Sequence, residues 1–423
     1  MSGTVQRHDP PASDRGPGTN ALPGSLDAWL SSLALAEAFS PLLAPSWEEQ
    51  LRRGYGHTLR EIAQQPVTWL ETAAHVRRLR ALVDESLAGV AAVVLTGSGS
   101  SVYAAECAAP CLQRTLGLPV SAVPAGLVLT HPETCLPPRG PFLVVSLARS
   151  GNSPESRAVV DWLLECRPEA RHLFITCNAR GALATSYRER PGVRSIVLDE
   201  KTDDRSLVMT SSFTNLVLAS RALGEGAGEK RVDGLARAAA HLLQEDASRI
   251  AAVARSGFGS VLYMGSGYRL GAAREAALKM LEMNSGDVFT FAESYLGLRH
   301  GPMSAVRPDT LVVAFLSTDP LVRAYERDLL TELDRKGLGA GRVVVGARLP
   351  GDVVASPDAL RLECGGGLAG ADEDLALLDA VVGQLLAFFR CLAGGRRPDS
   401  PSEDSVITRV VSGFEIHRRG ETR

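Results

Sequence analysis

Lysine is scarce: the 423 residues hold four, at 201, 230, 279 and 336, against 41 arginines. The bias reflects codon composition more than physics, yet it singles out Lys279, because an ammonium tunes its pKa to its surroundings as a guanidinium does not. Neither sign of charge is in excess, the formal net charge being -3, which argues against a nucleic-acid partner. Paired cysteine motifs are missing as well. The seven cysteines at 107, 111, 135, 166, 177, 364 and 391 form no C-x-x-C and several lie inside apolar runs, the pattern of reduced, buried thiols in a cytoplasmic protein. Cys107 and Cys111 share a helical face, but no His or second Cys pair accompanies them, so no metal is expected. No apolar run reads as a membrane span: the best, 375–392, carries Asp379, Gln384 and Arg390 and reads as a buried helix. The N-terminus lacks a basic-then-apolar signal pattern. No membrane partner is expected.

What is present is alternation of short apolar runs with helical periodicity, an α/β pattern that implies parallel sheets covered on both faces. Residues 1–45, rich in Pro, Gly and Ser, read as a disordered extension. Helices before and after Pro66 lead into a first domain, 46–225. Its strands are expected near 92–95, 142–147, 172–176 and 195–198, with helices over 103–116, from Pro154 through Cys166, and over 210–223. Gly224 to Gly228 marks a linker. A second domain, 226–398, repeats the theme with a long helix over 232–256, strands near 260–264, 310–317, 342–346 and 359–363, and helices over 320–336 and 373–394. Gly97-Ser98-Gly99 and Gly265-Ser266-Gly267 each follow a strand and open a helix, so the chain reads as a duplication of one α/β/α domain. The tail, 399–423, is polar and then strand-like.

The stretch Tyr263 to Pro302 carries the chemistry. On the helix after Gly267, Glu275, Lys279 and Glu282 fall at i, i+4 and i+7, one face of a helix. A solvated Glu-to-Lys pair is the ordinary reading. The flanking Ala, Leu and Met leave little polar surface, which favours a buried, paired cluster instead. In the first domain, two Ser-rich turns, Ser100-Ser101 and Ser150-Gly151-Asn152-Ser153, should lie side by side at the carboxyl edge of a parallel sheet, where ligands bind. Each alone reads as helix capping; together they suit a phosphate, with Arg149 as counter-charge. His300, on a Gly/Pro-bounded loop, suits proton transfer. Glu293-Ser294 either orients a sugar or caps a turn.

These residues resemble the sugar isomerase (SIS) fold twice over, and more narrowly the tagatose-6-phosphate ketose/aldose isomerase family, also described as galactosamine-6-phosphate deaminase/isomerase. The resemblance rests on R-E-I-A-Q-Q-P-V-T-W, L-T-G-S-G-S-S, R-S-G-N-S-P-E-S, M-T-S-S-F-T, A-R-E-A-A-L-K-M-L-E, L-G-L-R-H-G-P and T-R-V-V-S-G. It implies two tandem SIS domains, no cofactor, a homodimer, and galactosamine 6-phosphate converted to tagatose 6-phosphate and ammonia. It also implies that Ser101, Ser150 and Ser153, with Ser100, Arg149 and Asn152 nearby, hold the sugar phosphate. Glu282 would move a proton between C1 and C2, tuned by Lys279 and Glu275. His300 would aid ring opening from across a dimer interface. Thr210, Ser211 and Ser212 would touch sugar hydroxyls, and Glu293 and Arg299 would complete the substrate site. The chain has Ala148 where related synthases carry a phosphate-contacting Ser, and it departs from the close family at Met303 and Thr408. A plain aldose/ketose isomerase is the nearest alternative, and a sugar-phosphate sensor without turnover the alternative from another class.

Overall fold

The computed structural model describes residues 25–224, 228–351, 353, 358–364, 371–402, 405–411, 413 and 415–417. Much of the expected linker and residues 1–24 of the expected extension lie outside this set. Chain order begins with α1 (Leu26–Leu33), short helices over Ser40–Leu43 and Trp47–Arg53, α2 (Gly56–Ala63), α3 (Gln65–Arg78) and a helix over Arg80–Leu87. The expectation of a disordered 1–45 is corrected from residue 25 onward. Ser25 caps α1, its hydroxyl accepting from Ala28 N at 3.2 Å, and Trp29, Leu33 and Phe39 are buried in the main core. The Trp29 indole N–H donates to Ala63 O at 2.7 Å. Enough apolar area is buried there to outweigh the local Ser and Pro content.

The first sheet contains β1 (Ala92–Gly97), β2 (Val120–Pro124), β3 (Phe142–Ala148), β4 (Ala170–Thr176) and β5 (Val193–Val197), all parallel in the order β2-β1-β3-β4-β5. Its main helices are α4 (Ser100–Leu116), α5 (Pro154–Cys166) and α6 (Ser211–Arg221). The second sheet contains β6 (Ser260–Met264), β7 (Phe289–Glu293), β8 (Thr310–Phe315), β9 (Gly341–Gly346) and β10 (Leu360–Glu363), again all parallel, in the order β10-β9-β8-β6-β7. Its helices include α7 (Tyr268–Met283), α8 (Tyr295–Leu298), α9 (Pro320–Arg335) and α10 (Asp372–Ala393). With β6 set against β1 and β8 against β3, both sheets have one topology, as a duplication requires.

Strand alternation assigns the faces. In the first sheet Val93, Leu95, Leu143 and Val145 face a core shared with Tyr263, Val313 and Val345 of the second. Val94, Phe142 and Val144 face outward under α5. In the second sheet Leu262, Val312 and Ala314 face outward under α8 and α9. A common layer of helices therefore separates the sheets. Within it α7 is wedged between α4 and α10: a Cβ on Gly271 would meet Cys107 Sγ at 2.8 Å, and one on Gly383 would meet Ala276 Cβ at 2.4 Å. Missing side chains at these two positions let the helices approach. Helix α10 is long and apolar enough to cross a bilayer, but it is buried through the middle of the protein.

Two other expectations differ. The helix expected over 232–256 carries a π-helical segment, Leu242–Asp246, between Glu229–His241 and Ala247–Arg255. The strand-like tail forms no strand among its described residues. Val406 and Val411 are exposed, and the segment is tied down by polar contacts instead: the Asp399 carboxylate accepts from Thr58 N at 2.7 Å, and Arg149 donates to Arg409 O at 2.9 Å.

Candidate active site

Helix α7 opens at the carboxyl end of β6 and runs back along the shared layer, its polar stripe turned to α4 because Gly271 lets the helices close. The Lys279 ammonium donates to Ser100 Oγ at 3.1 Å and to the Glu282 carboxylate. It also lies 3.4 Å from Glu275 Oε1, an ion-pair distance at which neither Glu275 oxygen has a hydrogen-bond partner. Glu275 and Lys279 are fully buried, whereas the Glu282 side chain retains 22% of its exposure. Burial pushes the Glu275 carboxyl up to about 8 in spite of the nearby ammonium. For Lys279 burial works against the charge, but the Glu275 and Glu282 carboxylates outweigh it and hold the pKa above the ordinary value. The result is a partly open carboxylate backed by a permanent cation at the mouth of a first-half turn.

The two Ser-rich turns are adjacent because β1 and β3 are hydrogen-bonded neighbours. Gly97 makes the first turn possible: a Cβ there would meet Ser101 Cβ at 2.6 Å. In the second, Gly151 takes φ 65°, a left-handed conformation suited to glycine. Ser150 Oγ accepts from Asn152 N at 3.3 Å, leaving the hydroxyl proton free, and Asn152 Oδ1 holds Ala182 N at 2.9 Å. Ser153 precedes α5 without capping it. Thr96 and Ser146, paired across β1 and β3, add two buried hydroxyls without partners. A single hydroxyl residue near the end of each apolar strand was their only sign in the sequence.

Several expected site residues are engaged elsewhere. Arg149 does not stand as counter-charge at the turn. One guanidinium nitrogen donates to the carbonyls of Ser206, Leu207 and Val208 at 3.1, 3.0 and 3.2 Å, and another to Arg409 O. It clamps the tail onto the loop before α6. That loop is also held by Asp204, which accepts from Thr210 N at 2.7 Å, Ser212 N at 2.8 Å and Ser212 Oγ at 2.5 Å. Ser211 Oγ accepts from Asn215 at 3.2 Å. Of the three hydroxyls, Thr210 Oγ1 alone is buried and unpartnered. Glu293 accepts from its own neighbour, Ser294 N, at 2.7 Å, and Arg299 pairs with Glu332 of α9 at 2.7 Å. His300 is exposed. It follows α8, which packs on the outer face of the second sheet, whereas Glu282 belongs to the inner layer. No hydrogen bond or ion pair joins the two among the described residues.

Residues that the sequence reading did not single out support the same region. Gln384 of α10 donates to Thr210 O at 3.1 Å and receives Gln65 Nε2 at 2.7 Å. Buried Glu61 accepts from Arg205 N at 2.6 Å. Glu61 and Gln65 lie in the R-E-I-A-Q-Q-P stretch, where polar residues interrupting a helical apolar pattern were the available signal. A cleft of about 1130 Å³ opens between Arg60, Asn178, Arg205 and Arg409, and neither the serine turns nor the Lys279 cluster lines it. It adjoins the second turn through Asn178, which donates to Ser150 O at 3.1 Å.

Comparison with known proteins decides the family. No protein-family model matches the chain. The D-galactosamine-6-phosphate deaminase AgaS of Escherichia coli is 35% identical over 370 residues, covering 85% of this chain and 95% of that protein. This chain belongs to the AgaS family. A Streptomyces coelicolor relative carrying the AgaS name is 38% identical over 370 residues, with the same shares covered. The crystal structure of tagatose-6-phosphate ketose/aldose isomerase from E. coli superposes with a TM-score of 0.79 at 30% identity, covering 90% of this chain and 98% of that one. The C-terminal domain of glucosamine-fructose-6-phosphate aminotransferase from Francisella tularensis, at 17% identity and TM-score 0.64, shares the fold. The AgaS relationship makes the two α/β/α units tandem SIS domains and the protein a sugar-phosphate deaminase/isomerase of SIS type.

Proposed function

We propose that the protein converts D-galactosamine 6-phosphate and water to tagatose 6-phosphate and ammonia. The observation that carries the mechanism is the Lys279 ammonium held between Glu282 and Ser100, which puts a proton-accepting carboxylate beside the turn where a phosphate-anchored sugar would lie. The ring-opened aldose loses its C2 proton to Glu282, the electron pair forming the C1=C2 bond of an enolamine while the C1=O π pair moves to the oxygen, which takes a proton from solvent that the ketiminium hydrolysis later returns. Glu282 returns the proton to C1, leaving a ketiminium at C2. Water adds there and the C2–N bond breaks, releasing ammonia and the ketose. The phosphate, remote from C1 and C2, supplies the orientation that lets one carboxylate serve both carbons. The nearby cation stabilises charge that grows on the C1 oxygen.

The same reading makes the working unit a homodimer in the cytoplasm. His300 lies on the face of the second sheet opposite Glu282, so it joins the site from the other subunit and there opens the sugar ring. The seven free thiols suit a reducing compartment.

Isomerisation without deamination remains the alternative, favoured by the name of the E. coli structural neighbour. Incubation with a panel of hexosamine and ketohexose 6-phosphates, following ammonia and ketose together, separates the two. Equal amounts of both from galactosamine 6-phosphate support the proposal; aldose–ketose interconversion with no ammonia from any amino sugar refutes it.

A further inference from the structure

Because the halves share one topology, the crevice between β1 and β3 has a counterpart between β6 and β8, bounded by Gly265-Ser266-Gly267 and by residues 316–319. The counterpart keeps the donors that an oxyanion needs, namely backbone N–H groups and hydroxyls at a strand-to-helix turn. At the second of these turns the donors of Ser317 and Thr318 are already taken by carboxylates of the same chain. Asp372, the first residue of α10, accepts from Thr318 N at 2.7 Å, from Thr318 Oγ1 at 3.1 Å and from Ser317 Oγ. Glu326 of α9 accepts from Ser317 N at 2.8 Å. Beneath them the buried Arg269 guanidinium pairs with Asp379 at 2.5 and 2.6 Å and donates to Val345 O at 3.2 Å.

We propose that Asp372 is a built-in anion filling a latent oxyanion site in the second half, so that each chain keeps one open phosphate crevice, in the first half. Two hydroxyls and a backbone amide converging on one carboxylate match what the oxygens of a sulfate or phosphoryl group would receive. The acceptor differs from a ligand in being tethered: it fixes the start of α10, whose Gln384 reaches Thr210 of the first half. Likening this crevice to a phosphate site rests on the proposed function, whereas the latent site itself rests on the contacts of Asp372.

The test is the thermal midpoint of Asp372→Ala in sodium sulfate against sodium chloride of equal ionic strength, with wild type alongside. Both proteins are compared in a Ser150→Ala background as well, so that sulfate binding in the first half is removed from the difference. We expect Asp372→Ala to melt lower than wild type in chloride and to gain about 3 °C or more beyond the wild-type gain in sulfate. Adding Ser317→Ala should abolish the extra gain. If Asp372→Ala is insoluble, Asp372→Ser, which also empties the carboxylate position, is read the same way. A sulfate response equal to wild type, or one indifferent to Ser317, overturns the proposal. A first-half response indifferent to Ser150, with the Asp372 difference intact, would instead count against the phosphate turn.

Discussion

Replacing Glu275 with glutamine should stabilise the protein while impairing it. The carboxyl is fully buried, neither oxygen has a hydrogen-bond partner, and its pKa is raised to about 8 by burial. Against the ordinary 4.5, the folded state holds a proton that the unfolded chain releases. Stability contributed by this group is therefore complete below pH 4.5 and is lost as pH rises toward 8. At about 1.4 kcal/mol per pH unit, the loss is on the order of 3 kcal/mol by pH 7 and 5 kcal/mol above pH 8. Glutamine resembles the protonated acid in shape and does not titrate. Urea denaturation of wild type and Glu275→Gln should give midpoints that nearly coincide at pH 5 and separate at pH 8, the variant being the more stable. Activity should fall above about pH 8, where a neutral amide replaces the ionised carboxylate beside Lys279. A stability difference that does not grow with pH, or a variant less stable at pH 8, would refute the assignment of a costly buried acid.

Three further outcomes are expected. Trp29→Ala should cost about 3–5 kcal/mol in denaturant titration, since the indole is buried and bonded to Ala63 O; a cost under about 1 kcal/mol would return the N-terminal helix to the status of an appendage. Arg149→Met should raise proteolysis of the tail beyond Asp399 and lower thermal stability, because it releases four carbonyls; an unchanged cleavage pattern with weakened phosphate binding would instead restore its role as counter-charge. His172 is buried without a partner on either ring nitrogen, and burial lowers its pKa from 6.5 to about 4. Its contribution is present above pH 6.5 and lost as pH falls to 4, at most about 3 kcal/mol. His172→Phe should flatten the acid limb of the stability profile, and an unaltered limb would contradict this.

The central strands were legible because buried parallel strands are continuous apolar runs, and Gly97-Ser98-Gly99 and its repeat at 265–267 marked where helices begin. The spacing of Glu275, Lys279 and Glu282 was equally legible, since one face of a helix follows from its pitch. Strands β2 and β7 were not. Val120–Pro124 and Phe289–Glu293 are edge strands with mixed burial, so neither a run nor a clean alternation announces them. The direction taken by Arg149 was beyond reach as well, because the same residue after a strand serves a bound anion or nearby carbonyls equally well. Only the return of the tail, with Arg409 O and the loop 206–208 converging on it, decides between them. Likewise the mostly apolar patch from Trp29 to Leu35 is short and follows a Pro- and Gly-rich stretch, and the partners that bury Trp29 and Phe39, among them Ala63 and Phe389, lie far away in sequence.

The claim on which the rest depends is that Glu282 carries the proton between C2 and C1. It is tested most directly by ammonia release from D-galactosamine 6-phosphate by Glu282→Gln at saturating substrate, with binding confirmed by calorimetry on the same sample. The account predicts a rate at least about 1000-fold below wild type with substrate still bound; a rate within about tenfold of wild type would contradict it.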